Sequence, residues 1–237
     1  EFNVSEKQYN GQLKKCDVLV SVSESCARML AEYMPETADK ITVISNMIDE
    51  ELLQQKSGTD SPYSNNVIHL VTVGRLSPEK HMENIIYAAK ELRKAGDQFQ
   101  WHIIGDGVQR TELEMLKERE KVTDCVSFEG SKRNPYPYMK YADLYVHPSY
   151  VESQGITILE AMALHLPCVV TTSRGPSEFI KDGVNGLLTD QTSQDLVEGV
   201  KCMLEDRKLY EQIRSASVCP ERFRTDEVMK KIYGLYK

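Results

Sequence analysis

Hydrophobic residues recur along the chain in two patterns, which alternate from Val67 onward. Short apolar runs rich in β-branched residues predict strands, and segments with apolar residues three or four positions apart predict helices. The predicted strands are 67–73, 99–105, 126–130, 144–148, 168–172 and 186–189. The predicted helices are Pro78–Ala95, Val108–Glu120, Pro135–Tyr141, Thr157–Leu164, Ser177–Asp182, Ser193–Glu205 and Thr225–Tyr236. This alternation predicts an α/β fold, a doubly wound parallel sheet with helices on both faces.

The first 45 residues form a separate group of elements. A polar helix is predicted at Ser5–Lys15, followed by a strand at 17–23, a helix at Glu24–Tyr33 and a strand at 40–45. Residues 46–66 are predicted to be a linker, because the polar stretch Gln54–Asn66 within them contains Gly, Ser, Asp, Asn and Pro.

The amino-acid composition excludes several classes of function but says little about the fold. The 237 residues, with 41% apolar and 27% charged side chains, are ordinary for a globular protein, and the net charge of −7 argues against nucleic acid as a partner. Six cysteines without a Cys-x-x-Cys pair favour reduced thiols in a cytoplasmic protein over a zinc site or a disulfide framework. No apolar run reaches the roughly 18 residues of a membrane span.

The run ESQGITILEAMA carries two glutamates, Glu152 and Glu160, where a loop enters a helix. The unpaired amides expected at Gly155, Ile156 and Thr157 would form an anion-binding site, as at other helix N-termini. Two carboxylates beside an anion-binding site predict a ligand with both hydroxyl and phosphate groups, such as a nucleotide sugar.

This run resembles the Glu-x7-Glu motif of the retaining glycosyltransferases of family four. Other segments of the chain resemble further parts of the same family, namely VTVGRLSPEK, WHIIGDGVQR, VSFEGSKR and GPSEFIKDGVNGLL. The resemblance covers roughly residues 66–200 and implies the C-terminal half of a GT-B fold, which pairs two Rossmann-like domains. Residues 1–45 would then be the last elements of the N-terminal, acceptor-binding domain and the hinge, and 46–66 the linker. Residues 67–220 would be the nucleotide-sugar domain, and 221–237 the helix that crosses back. With the acceptor half missing, the isolated chain is expected to bind donor without transferring it.

The resemblance also assigns roles to individual residues. Lys80 is poorly placed for the dipole of the helix predicted there, so it either reaches solvent or pairs with an anion. The family pattern selects the second option: Arg75 and Lys80, beside Gly74, hold the diphosphate. Glu160 accepts hydrogen bonds from the ribose, and Glu152 lies beside the transferred sugar, where it positions and stabilises. The expected catalytic set is therefore Glu152, Arg75 and Lys80.

Further positions line the expected nucleotide cleft. The turn at Gly105 and Gly107 is not a full G-x-G-x-x-G, so it indicates close backbone approach rather than an NAD site. The loop from Gly130 to Arg133, with Ser131 and Lys132, corresponds to the family segment over the base. Gly155, Ile156 and Thr157 complete the binding set.

The chain contains no Asp-x-Asp and no ligand-spaced cluster of His and carboxylates, so metal independence is predicted, with no cofactor besides the donor substrate. His147 is interpreted as a core or hydrogen-bonded histidine, and Glu178 as a support of the pocket loop. The sequence departs from the frequent family form Glu-Gly-Phe-Gly at Ser153 and Gln154, and Gln154 is expected to alter contact with the sugar.

The resemblance implies retaining transfer of a hexose or N-acetylhexosamine from a UDP-sugar to a glycan or lipid-linked acceptor, in polysaccharide biosynthesis. The expected site of action is the cytoplasm, with peripheral contact to the inner membrane face through the missing N-terminal domain. Two alternatives stay open: a nucleotide-sugar epimerase or hydrolase of the same fold, and a binding module without turnover.

Overall fold

The fold is described from a computed structural model that covers residues 11–64 and 67–236. Its first part contains strand β1 (Leu19–Ser21), helix α1 (Glu24–Tyr33) and strand β2 (Ile41–Val43). The two strands pair in parallel as a sheet of their own. The predicted polar helix Ser5–Lys15 begins outside the described residues. Of its described part, residues 11–13 are helical.

A helix that the sequence did not predict, α2 (Glu50–Ser57), occupies part of the segment expected to be a linker. The side chain of Asp49 accepts the amide of Leu52 at 2.9 Å and caps its first turn. Leu53 is buried, and Gly58, with φ of 68°, ends the helix. The polar sequence QQKS concealed it, because only one narrow face of this helix packs on the domain.

Six parallel strands form the central sheet, which confirms the predicted fold class. They are β3 (Ile68–Val73), β4 (Phe99–Ile104), β5 (Val126–Gly130), β6 (Leu144–His147), β7 (Cys168–Thr171) and β8 (Leu187–Thr189). Their order across the sheet is β5-β4-β3-β6-β7-β8. This is the order of a dinucleotide-binding fold, with its topological switch point between β3 and β6.

Helices cover both faces of this sheet. They are α3 (Glu83–Lys94), α4 (Arg110–Arg119), α5 (Tyr136–Lys140), α6 (Ile156–Ala163), α7 (Ser193–Glu205), α8 (Arg207–Ala216) and α9 (Thr225–Gly234). One core lies between the sheet and helices α3, α4, α7 and α8, around Trp101. The other lies between the opposite face and helices α2, α5 and α6, around Tyr145. Within the described ranges, no helix is long and apolar enough to cross a bilayer.

The predicted helix Pro78–Ala95 is wrong in its first turns. Residues Pro78–Lys80 form a separate 3₁₀ turn, His81 has a left-handed φ of 46°, and α3 begins at Glu83. Ser77 does not cap it, since its hydroxyl donates to the Glu79 carboxylate at 2.6 Å. The carbonyl of Glu79 accepts the amide of Tyr150 at 3.0 Å, so a tertiary contact replaces the continuous helix.

Two other predictions also need correction. The helix expected at Ser177–Asp182 is a 3₁₀ turn at Pro176–Glu178. Asn185 accepts the Lys181 amide at 2.7 Å and donates to the carbonyl of Phe179 at 3.0 Å, which closes the loop instead of extending a helix. Helix α8 was not predicted; Asp206 caps it through the amide of Leu209.

The last helix, α9, follows a return of the chain to the segment before α2. The amide of Ile48 donates to the carbonyl of Phe223 at 2.7 Å, and the Thr225 hydroxyl donates to the carbonyl of Ile48 at 3.3 Å. The C-terminal residues therefore pack beside the segment that joins the N-terminal elements to the sheet.

Candidate functional site

The candidate residues follow the carboxyl ends of three neighbouring strands. Gly74 follows β3, Gly105 follows β4, and Glu152 lies in the loop after β6. Because β3 and β6 are adjacent and their connections leave in opposite directions, a crevice opens between their following loops. Such a crevice is the usual ligand site of an open α/β sheet.

Gly105 and Gly107 allow a close approach between two backbone segments of the protein. A Cβ on Gly105 would lie 1.8 Å from the carbonyl oxygen of Gly74. One on Gly107 would lie 2.3 Å from the carbonyl oxygen of Leu76. These glycines therefore lock the loop after β4 onto the loop that carries Arg75 and Lys80.

An ion pair joins Lys80 to Glu152 across the crevice. Nζ lies 2.5 Å from Oε2, and the two side chains are 19% and 15% exposed. The Lys80 turn is docked on the Glu152 loop, because Tyr150 donates its amide to Glu79 and stacks on His81 with ring centroids 5.2 Å apart. The sequence predicted both residues but not their contact, since they are 72 positions apart.

His147 is the second partner of Glu152. Its Nε2 lies 3.1 Å from the same oxygen, Oε2, and its Nδ1 lies 3.2 Å from the Tyr145 hydroxyl. That hydroxyl is 2.7 Å from Oγ1 of Thr157. A hydrogen-bonded series thus runs from Glu152 to the first turn of α6. The alternation of Tyr145 and His147 on one face of β6 was the sequence signal for this series.

The surroundings of Glu152 keep it ionised. Burial alone would raise its pKa, but the hydrogen bond from His147 and the pair with Lys80 outweigh burial and lower the pKa to about 2. Burial lowers the pKa of His147 although Glu152 opposes this, so the imidazole is neutral at pH 7. The hydrogen bond from His147 and the ammonium of Lys80 therefore both favour the ionised form of Glu152.

The first turn of α6 presents free backbone donors. Gly155 adopts a left-handed conformation with φ of 85°, and no side chain caps the helix. Within the described part of the chain, the amides of Gly155, Ile156 and Thr157 have no hydrogen-bond acceptor. This arrangement fits an anion-binding site formed by the helix N-terminus.

Glu160 lies one turn further along α6, and its carboxylate accepts the Tyr136 hydroxyl at 3.0 Å. Burial raises the pKa of Glu160, and it also raises the pKa of Tyr136, to about 12. The Tyr145 hydroxyl contacts both His147, the partner of Glu152, and Thr157, which lies one turn before Glu160 on α6. Tyr136 was predicted only as part of a packing and cleft-wall stretch.

The remaining predicted residues are exposed around this region. Arg75 has an exposed side chain without a hydrogen-bond or ion-pair partner among the described residues. Ser131 and Lys132 are exposed in the loop after β5, and the Lys132 ammonium lies 5.6 Å from the centre of the Tyr138 ring. Their side chains are free to meet a ligand.

Gln154 and Glu178 contact the N-terminal elements. Gln154 is 3% exposed, and its Oε1 accepts from the side chain and the amide of Asn46 at 2.6 and 3.1 Å. Glu178 accepts the amides of Glu24 and Ser25 at the start of α1. The side-chain oxygen of Gln154 therefore contacts the segment before α2. The sequence predicted that Gln154 would affect contact with the sugar. Among the residues that the structure covers, no three His, Cys, Asp or Glu side chains are grouped to hold a metal ion.

Comparison with known proteins places these observations in a family. The sequence model described as "Glycosyl transferases group 1" matches residues 59–217. The chain is 31% identical over 170 residues to an alpha-D-kanosaminyltransferase of Streptomyces kanamyceticus, covering 70% of this chain and 44% of that protein. It is 28% identical over 197 residues to a Campylobacter jejuni N-acetylgalactosamine-N,N'-diacetylbacillosaminyl-diphospho-undecaprenol 4-alpha-N-acetylgalactosaminyltransferase, covering 82% and 53%.

Among solved structures, Anabaena Alr3699/HepE in complex with UDP and glucose is similar, with a TM-score of 0.84 and 21% identity. The match covers 97% of this chain and 66% of that one, and it shows the fold. The chain spans about half the length of the two curated relatives.

Proposed function

Because the chain belongs to the glycosyl transferases group 1 family, we propose that it is the donor-binding part of a retaining glycosyltransferase that uses a UDP-sugar. The observation that carries this proposal is the Lys80–Glu152 pair beside the uncapped N-terminus of α6. A cation, a carboxylate and free amides meet there, and these are the groups that a sugar diphosphate requires.

The diphosphate would bind the amides of Gly155, Ile156 and Thr157 together with Arg75 and Lys80. As the bond between sugar and diphosphate breaks, negative charge develops on the departing phosphate. Cationic side chains and aligned amides stabilise that charge in place of a metal ion. Lys80 has three N–H donors, so it can contact Glu152 and a phosphate oxygen together. Metal independence is part of the proposal.

The glutamates would divide the rest of the donor. Glu160 accepts hydrogen bonds from the ribose, and Glu152 contacts hydroxyls of the transferred sugar at the reacting face. The loop with Ser131 and Lys132 would lie over the uracil. UDP is favoured as the nucleotide because the similar solved structure was determined with UDP and glucose.

The acceptor belongs to the proposal for the whole protein. The name of the Campylobacter jejuni relative includes a diphospho-undecaprenol acceptor, which supports a lipid-linked or glycan acceptor here. Action in the cytoplasm, at the inner face of the membrane, is proposed with it, and this contact would be made by residues outside the chain.

Calorimetric titration with UDP and with UDP-, GDP- and ADP-sugars, in EDTA, tests the diphosphate assignment. We expect UDP binding without added metal. Arg75→Ala and Lys80→Ala should each weaken it about tenfold or more, because a charge-assisted hydrogen bond contributes roughly 1.5 to 3 kcal/mol. Lys208→Ala, on the exposed face of α8, is the control and should bind as the wild type does. Unchanged affinity in both site variants, or a strict need for Mg²⁺, would contradict the assignment.

A further inference from the structure

Both protein contacts of the Glu152 carboxylate fall on one of its oxygens. Oε2 meets Lys80 Nζ at 2.5 Å and His147 Nε2 at 3.1 Å. Oε1 has no hydrogen-bond partner among the described residues, and it is not fully buried, so it is accessible to solvent. The carboxylate therefore presents one occupied and one free acceptor oxygen.

The hydrogen bonds around His147 fix both its orientation and its tautomer. His147 lies on β6 and is only 3% exposed. Its backbone carbonyl accepts a hydrogen bond from the Thr171 hydroxyl at 3.2 Å. Nε2 faces an ionised carboxylate, which only accepts, so Nε2 carries the proton. Nδ1 is then unprotonated and lies 3.2 Å from the Tyr145 hydroxyl oxygen, whose proton is directed at Thr157 Oγ1 at 2.7 Å. Burial of the ring and the bond from Nε2 hold the imidazole in the orientation that donates to Oε2.

The two partners of Glu152 differ in what else they can do. Lys80 lies in a loop, is 19% exposed and is available to a diphosphate. His147 lies on a strand, is buried and has both ring nitrogens engaged within the protein. When phosphate oxygens share the donors of Lys80, the bond from His147 is the contact that still fixes Oε2.

We propose that His147 is a positioning residue, which holds Glu152 through Oε2 so that Oε1 faces the hydroxyls of the donor sugar. The inference rests on the proposed function of this site and adds a residue to it. Its consequence is specific: the His147 bond supports the affinity contributed by the sugar and not the affinity contributed by the nucleotide.

The test compares UDP with the UDP-sugar that the wild-type chain binds best. His147→Leu should bind UDP within about twofold of the wild type and lose about tenfold of the extra affinity due to the sugar, since one hydrogen bond to a charged group is lost. His147→Gln, whose amide can donate from a similar position, should recover most of that loss. His165→Gln, a histidine at the other end of α6 that contacts the carbonyl of Ser217, is the matched control.

A second measurement does not depend on sugar binding or on a substitution. Long-range ¹⁵N–¹H correlation on the wild-type chain at pH 7 should show a buried neutral histidine protonated at Nε2. An imidazolium, or a proton on Nδ1, at His147 would overturn the proposal. Equal losses for UDP and UDP-sugar in His147→Leu would also overturn it, as would a His147→Gln variant no better than His147→Leu.

The failure of this inference differs from failure of the proposed function. If the wild-type chain binds neither UDP nor any nucleotide sugar, the function itself is contradicted. If the wild type binds both ligands and His147→Leu matches it for both, only the positioning role is contradicted.

Discussion

At the residue scale, Glu152 and Glu160 have the same chemistry but opposite tendencies to hold a proton. Lys80 and His147 outweigh the burial of Glu152 and lower its pKa to about 2, whereas burial raises the pKa of Glu160 with only the Tyr136 hydroxyl opposing. Near pH 7 Glu152 is a fixed charge. Of the two, Glu160 is the glutamate that takes up a proton first as the pH falls.

The raised pKa of Glu160 predicts a pH dependence of donor binding. Protonation removes acceptor capacity from Glu160, so affinity for a UDP-sugar should fall as the pH is lowered, and it should begin to fall at a higher pH than for a glutamate with an ordinary pKa. A UDP-sugar is the suitable ligand because it lacks the terminal phosphate group that titrates near pH 6 in UDP. Calorimetry should find the dependence strongly reduced in Glu160→Gln, and an unchanged dependence in that variant would contradict the assignment.

The ion pair of Glu152 predicts a stability effect with a defined pH window. The folded-state pKa lies below the ordinary value, so the stabilisation is complete above about pH 4.5 and is lost as the pH falls to about 2. Lys80→Met should lower the free energy of unfolding at pH 7 by about 1 to 3 kcal/mol. Urea unfolding at pH 7 and at about pH 3 measures this, with Lys208→Met as control. A cost that is the same at both pH values would argue against the pair.

The motif residues could be predicted from sequence because their order along the chain is local information. Glu152, Thr157 and Glu160 lie within one loop and helix turn. The contact of Lys80 with Glu152 spans 72 positions and depends on β3 and β6 being neighbours. No local periodicity reports such a contact.

At the element scale, the predicted strands agree with the structure within one or two residues, and the errors concern helices. Tertiary contacts decided two of them: the Glu79 carbonyl binds the Tyr150 amide instead of continuing a helix, and Asn185 closes the turn after Pro176. Helix α2 was missed for a different reason, since its sequence is polar and its stability depends on the Asp49 cap and one buried face.

The loop packing after β3 and β4 predicts a severe cost for a single methyl group. Gly107→Ala would place Cβ 2.3 Å from the Leu76 carbonyl oxygen, a backbone atom that cannot move aside cheaply. We expect a loss of about 3 kcal/mol or more in urea unfolding, as for other overpacked sites. Gly234→Ala, which meets no atom within 4 Å, is the control. Equal unfolding midpoints for Gly107→Ala and the wild type would show that the loops are not packed this closely.

Glu178 predicts a local effect on α1. Its carboxylate accepts the amides of Glu24 and Ser25 at 3.2 and 2.7 Å, which are donors left free at a helix N-terminus. Glu178→Ala should destabilise this contact by about 1 to 2 kcal/mol and speed amide exchange at these two residues. Hydrogen exchange should find the strands β3 and β4 unchanged. Glu198→Ala, on the exposed face of α7, is the control, and unchanged exchange at α1 would contradict the contact.

At the scale of the whole molecule, the alternation of strands and helices along the sequence predicts only part of the sheet topology. Alternating strands and helices indicate parallel pairing, but the order β5-β4-β3-β6-β7-β8 required the family resemblance or the structure. The contacts of Asn46 with Gln154 and of Glu178 with α1 join the N-terminal elements to the site. These contacts between distant segments could not be predicted from local sequence.

The chain spans about half the length of its two curated relatives, and this bears on whether it can transfer sugar by itself. In a two-domain cleft, the acceptor and any base lie opposite the donor and are positioned by closure. We expect the 237 residues to bind donor without transferring sugar. A radiolabelled UDP-sugar assay with a mixed glycan and lipid acceptor fraction measures this, and robust transfer would contradict it.

The division of labour between the two glutamates is the central claim, and one set of titrations tests it most directly. UDP and the preferred UDP-sugar are each titrated into the wild type, Glu152→Ala and Glu160→Ala. Glu160→Ala should lose about 1 to 3 kcal/mol for both ligands, because it loses a contact to the ribose. Glu152→Ala should bind UDP nearly as the wild type does and lose the affinity contributed by the sugar. Equal losses for UDP in the two variants, or no loss in either, would contradict the account.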